Sequence, residues 1–140
     1  MIAGVIRETG TPTLVLKVIG KGGAEVAVER ILDTGFDGFL CLPIPLAVSL
    51  GLELIDVTRT ELADGTVVED ELVFAGRVEW DGAVMEVDIL LTRSGDMLIG
   101  TAFLKEYAVH LDYKANIIRI EKAPQRRRDS RRSHRSRRQR

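Results

Sequence analysis

Ile31-Leu32-Asp33-Thr34-Gly35 carries an apolar strand straight into an Asp-Thr-Gly turn, and the chain resumes in a second apolar run, Phe39-Leu40-Cys41-Leu42. A carboxylate at the end of a buried strand is costly unless partners surround it or its altered proton affinity is used. The residue types fit one another. Asp supplies the carboxylate, Thr a hydroxyl able to bond neighbouring backbone, and Gly a tight turn that a second backbone or a ligand can approach. The tripeptide alone arises by chance in on the order of a few per cent of chains this long at ordinary residue usage. An inert β domain with a turn-capping Asp reads the same way at Asp33, so the flanking sequence has to separate the two.

Outward from the turn, alternation or short apolar runs predict strands over 13–19, 25–32, 39–42, 55–62, 66–75, 77–80, 83–91, 110–112 and 117–121. Gly20-Lys21-Gly22-Gly23, Asp64-Gly65 and Asp81-Gly82 supply the positive-φ residues that hairpins need. The glycine run is too short for a phosphate loop and lacks the helix that must follow one. Two stretches read as helical: 45–50, closed by Gly51, and 101–107 after Gly100, with Thr101 as the cap. The fold class is mainly β with one or two short helices, without a repeat longer than a hairpin.

At 140 residues and 45% apolar content the chain fits one soluble domain. No apolar run approaches twenty residues, and the first eight residues lack the basic start and long apolar core of a secretory leader, which predicts a cytoplasmic protein without membrane contact. Cys41 is the single cysteine, so no intramolecular disulfide forms, and its place between Leu40 and Leu42 predicts a buried small hydrophobe. The net charge of -1 hides a division: residues 126–140 hold nine Arg against one Asp, while residues 1–125 hold eleven Lys plus Arg against twenty Asp plus Glu. Residues 126–140 contain no apolar side chain, so nothing offsets their ordering entropy. The expected organisation is a folded domain over 1–122 and a disordered arginine-rich tail over 123–140. The tail suits nonspecific binding to RNA, DNA or another polyanion; a solvated extension, or one that folds back on the acidic body, is the alternative.

Three features stand in fixed order: the Asp33-Thr34-Gly35 turn between apolar strands, a hairpin tipped by Ala63-Asp64-Gly65-Thr66, and Met97-Leu98-Ile99-Gly100 before a short helix. Together with Phe103-Leu104-Lys105-Glu106-Tyr107-Ala108-Val109-His110-Leu111-Asp112-Tyr113-Lys114-Ala115-Asn116-Ile117-Ile118, which looks like the closing segment of pepsin-like lobes, that order resembles one lobe of an aspartic protease. The Asp33-Thr34-Gly35-Phe36-Asp37-Gly38 run and the single-lobe length are most similar to the retropepsin-like proteases of prokaryotes. The flap tip lacks the glycine-rich sequence of viral enzymes and the tyrosine of pepsins, and a strand-like 2–7 and the basic tail depart from the viral pattern. The resemblance implies a single-lobe acid-protease β-barrel with a flap hairpin over the cleft.

It also implies a chemistry. Two carboxylates about 3 Å apart cannot both ionise, so they share a proton and divide the roles of base and acid. One chain offers one Asp-Thr-Gly, so Asp33 must face Asp33 of a second copy across a two-fold axis. The function implied is a homodimeric aspartic endopeptidase acting on peptide or protein substrates, with Asp33 catalytic, Thr34 bonding across subunits beneath it and Gly35 contacting substrate backbone. Asp37 is either a substrate contact or a turn residue. Asp64 and Gly65 are explained by an Asp-Gly hairpin tip and are also substrate-binding candidates. The alternative is a non-catalytic dimerisation or peptide-binding module with the same fold. No metal or cofactor is expected, because His110 and His134 are the only histidines and supply too few ligands for a zinc site or a histidine-based triad.

Overall fold

The first hairpin follows directly from alternation. In the computed structural model, which describes residues 1–91 and 97–124, Leu14, Leu16 and Val18 of one strand point inward with Val28 and Leu32 of the next, while Val15, Ala27 and Ile31 face out. The turn between them is a single 3-10 turn, Lys21–Gly23, in which Gly22 and Gly23 take φ of 68° and 81°, a region open to glycine at little cost.

The element order is β1 (Ile2–Ile6), β2 (Pro12–Ile19), β3 (Glu25–Leu32), β4 (Leu40–Leu42), α1 (Ile44–Ser49), β5 (Glu53–Glu61), β6 (Val67–Trp80), β7 (Ala83–Leu91), β8 (Leu98–Ile99), β9 (Tyr107–Asp112) and β10 (Ile117–Lys122). All ten strands join one sheet in the order β5-β6-β7-β4-β8-β3-β2-β1-β10-β9. A further antiparallel pairing of β2 with β6, from Lys17↔Glu79 to Ile19↔Arg77, closes six of them into a ring. Closure covers the edges of 17–19 and 77–79, which β1 and β5 leave unpaired. The result is the expected single-lobe barrel, with the β5–β6 hairpin projecting from one side and β1, β10 and β9 extending the other. Two pairings are parallel, β3 with β8 and β4 with β7; the first brings residue 33 and residue 100 side by side.

Several predicted elements have different limits. The strands expected at 66–75 and 77–80 are one strand, β6, running through Gly76, whose missing Cβ leaves room for Ile89 Cδ1. Helix α1 ends as expected, with Gly51 at φ 62° and its N–H donated to the Val48 carbonyl at 3.0 Å. The predicted helix at 101–107 is corrected: only a 3-10 turn, Thr101–Leu104, forms there, and Thr101 does not cap it. Glu106 turns to φ 70° and sends Tyr107 into β9, where it pairs with Lys122 at the end of the six-pair β9–β10 ladder. The expected tail of residues 123–140 lies, from Gln125 on, outside the described residues. Among the described residues, no helix is long and apolar enough to cross a membrane.

The core fills the barrel with Leu14, Val18, Leu40, Leu42, Val78, Ile89, Ile99, Ile118 and Ile120, each 1% exposed or less, and Cys41 is buried beside them. Phe103 stacks on Trp80 at 4.7 Å and meets Phe39 edge-on at 5.0 Å. That aromatic column ties the segment after the Asp33 turn to the barrel wall. On the outside, Glu29 accepts hydrogen bonds from Arg7 and from the Thr13 hydroxyl, which joins β1, β2 and β3. The Arg7 bond, then the Thr13 bond, holds the Glu29 carboxyl below its ordinary value of 4.5. A depressed carboxylate contributes stability above its unfolded pKa and loses it as pH falls through the folded one. Denaturation of wild type beside Glu29→Gln should therefore show a small difference above about pH 4.5 that closes toward pH 2; small, because both partners are partly exposed and solvent-screened.

Candidate active site

Asp33 stands one residue past the end of β3, where Leu32 pairs with Ile99 of β8. The ladder continues through the Asp33 N–H, which donates to the Ile99 carbonyl at 2.9 Å. The chain then turns back on itself: Phe36 N–H donates to the Asp33 carbonyl at 3.1 Å, and Gly35 N–H to Asp33 Oδ1 at 2.8 Å. That last bond fixes the carboxylate against its own turn. A Cβ on residue 35 would stand 3.1 Å from the same oxygen, tighter than side chains ordinarily pack, so glycine serves the turn here through space.

The return limb is stitched to the segment after β8. Gly100 N–H donates to Phe39 O at 2.8 Å, Thr101 N–H to Phe36 O at 2.8 Å, and Ala102 N–H to Gly38 O at 3.1 Å. The Thr101 hydroxyl adds a bond to Phe36 O at 3.2 Å. With each backbone bond contributing about 1 kcal/mol net, the turn is held by the barrel rather than by its own sequence. One residue to which the sequence reading gave no role of its own matters here. Phe36 supplies the carbonyl that takes both Thr101 bonds, and its ring lies where a Cβ on Gly38 or Gly100 would fall, at 2.6 Å from each. The available signal was the pairing of a bulky aromatic with two nearby glycines, which is weak without the fold.

Of the sequence-predicted residues, Asp33, Thr34, Gly35 and Asp37 share this turn, Asp33 half-buried and the other three exposed. Asp64 and Gly65 stand apart at the tip of the β5–β6 hairpin, with no hydrogen bond or ion pair to the turn among the described residues. The tip is self-contained. Leu62 N–H donates to Thr66 O at 2.7 Å, and Thr66 N–H to Asp64 Oδ1 at 2.9 Å. The Thr66 hydroxyl and N–H hold the Asp64 carboxyl below the ordinary carboxylate range, so Asp64 is engaged in its turn. Gly65 takes φ 85° with open space around its Cβ position. Gly65→Ala should therefore cost about 1 kcal/mol through backbone strain alone, read as a lower denaturation midpoint with an unchanged slope.

A groove of about 900 Å³ lies elsewhere, between the hairpin base and the turn after α1. Leu52, Ile55, Arg77 and Asp88 line it, and no residue of 33–38 does. Among the described residues no three His, Cys, Asp or Glu side chains gather as metal ligands.

No protein-family model matches the chain, and no curated protein does. Solved structures do. A retropepsin-like aspartic protease from Rickettsia conorii aligns with a TM-score of 0.56 and 17% identity, over 84% of this chain and 87% of that one. EIAV protease in complex with an inhibitor aligns at 0.47 and 17%, over 68% and 86%. The retroviral protease-like domain of Ddi1 from Leishmania major aligns at 0.44 and 16%, over 78% and 88%.

Proposed function

From the retropepsin-like fold of this chain, we propose that the protein is a homodimeric aspartic endopeptidase in which two Asp33 carboxylates activate one water. The observation that carries the proposal is the Asp33 turn: a half-buried carboxylate, oriented by the Gly35 N–H and anchored through four backbone bonds between 33–39 and 99–102, with Thr34 exposed beside it. A lone carboxylate is either proton acceptor or donor at a given moment. Two brought close by a second copy share one proton, so the ionised member takes a proton from water while the protonated member donates a hydrogen bond to the developing oxyanion. Their apparent pKa values belong to the pair.

In this reading Thr34 bonds to the partner subunit beneath the carboxylates, Gly35 offers backbone to an extended substrate, and the β5–β6 hairpin covers the cleft. Asp37 is exposed, and a contact to substrate backbone and a solvated turn residue both suit its position. Asp64 and Gly65 bring the hairpin tip over the substrate, with the Asp64 carboxylate occupied by its own turn. Both terminal strands are already paired within the chain, β1 with β10 from Ile2↔Ile120 to Val5↔Ile117, so the subunits meet without exchanging those strands.

The site is complete only in the dimer, which gives the test. Specific activity on a mixed peptide library should fall on dilution with the same midpoint as the dimer–monomer transition seen by sedimentation. A dimer that binds peptides and cleaves none from acid to neutral pH would favour the non-catalytic module instead.

A further inference from the structure

The hairpin that would cover the cleft is the most acidic part of the molecule. Residues 53–71 carry seven carboxylates against Arg59 alone, a net of -6 out of the -9 held by residues 1–124; the other 105 residues share -3. The fold concentrates this charge on two strands. Glu53, Asp56, Glu61 and Asp64 are exposed, and Glu69 and Glu71 stand in register opposite Arg59 and Thr58, with Asp70 in the bulge between them. Apolar surface is interleaved with it: Leu54, Ile55, Leu62 and Val67 are about half exposed. Arginine matches such a surface, because its alkyl stem covers apolar groups while its guanidinium pairs with carboxylates.

We propose that the arginine-rich segment of this same chain, residues 125–140, docks on the acidic β5–β6 hairpin. The segment carries +8 against the hairpin's -6. It starts after Pro124, and its sixteen residues span roughly 50–60 Å when extended, several times the ~14 Å radius of gyration of a domain this size. Every face of the domain is thus within reach, and charge selects among them. The dimeric reading above, on which this part rests, strengthens the selection. Two hairpins of -6 converge on one cleft, and their mutual repulsion within a Debye length of about 8–10 Å opposes closure until a cationic segment offsets it. The docked segment therefore competes with substrate for the hairpin and favours cationic peptides among the competitors.

The test uses the full chain carrying Asp33→Asn, so that no turnover confounds it and its outcome is independent of whether the protein is a peptidase. Ser133→Cys is labelled with a benzophenone; Cys41, 2% exposed, stays unlabelled, which an identically treated chain with Ser133 retained checks. Photo-cross-links should fall in residues 53–71. Their yield should drop at least ~5-fold in Glu53→Gln/Asp56→Asn/Glu61→Gln/Asp64→Asn and on raising salt from about 20 to 300 mM, as screened ion pairing requires. Neutralising four carboxylates elsewhere, Glu8→Gln/Glu25→Gln/Glu106→Gln/Glu121→Gln, should change it less than ~2-fold. Cross-links scattered over the surface, or a hairpin yield equally reduced by both quadruple variants, would overturn the proposal.

Discussion

Asp33→Asn should lower peptide hydrolysis by at least ~10³-fold and leave the fold and the dimer as they are. Asparagine keeps the size of the side chain and retains an oxygen for the Gly35 N–H, which donates to Asp33 Oδ1 at 2.8 Å, so the turn closes as before. What it removes is the ionised acid. A pair of amides neither accepts a proton from water nor shares one, so the loss belongs to kcat rather than to peptide affinity. Rates of wild type and variant under saturating peptide, beside their sedimentation and denaturation profiles, measure it. Equal rates, or a variant that has lost the dimer, would remove the support for Asp33 as the reacting group.

Gly100→Ala should be the most damaging single methyl in the molecule's candidate site, at ~3 kcal/mol of a total stability of about 5–15 kcal/mol. Its φ is ordinary, so the effect is purely one of space: the added carbon would fall 2.1 Å from the Gly38 carbonyl oxygen, 2.6 Å from Phe36 Cδ1 and 2.8 Å from the Phe36 carbonyl oxygen. Two of those atoms are backbone, and both carbonyls accept bonds that hold the Asp33 turn, from Ala102 and from Thr101. Relief requires pulling 36–38 away from 100–102. Gly76→Ala is the control. Its nearest neighbour, at 2.4 Å, is the terminal methyl of Ile89, which can rotate aside, so it should cost distinctly less. Urea midpoints of the two variants, with the amide resonances of Asp33 and Phe36 as a local readout, compare them directly. A Gly100→Ala protein as stable as Gly76→Ala would mean that the stitching between the turn and β8 is looser than described.

The contrast between those glycines also marks what the amino-acid sequence makes legible. Strands 25–32 and 83–91 are readable to the residue because one face of each is buried and strict alternation records it. Gly76 reads as a break because glycine weakens isolated strands, whereas in the barrel it is the place where Ile89 packs close. The run Phe103-Leu104 to Tyr107 imitates a helical face; the β9–β10 hairpin, which pairs Tyr107 with Lys122, overrides that signal. Asp33 and its turn were visible because a carboxylate at a strand end is locally anomalous. Its bonds to 99–102 are not legible from periodicity, which carries no information across more than sixty positions; only the family resemblance sets Met97-Leu98-Ile99-Gly100 beside the turn.

If catalysis belongs to a site built from two subunits, mixing active and inactive subunits reads it out. Wild type is allowed to exchange with an equal amount of Asp33→Asn, and the activity is compared with that of the same total protein as wild type. If a dimer needs both Asp33 carboxylates, only the pairs with two wild-type subunits are active, and about one quarter of the activity remains after random exchange. About one half, with exchange verified, would show that each chain works alone and would contradict the shared site.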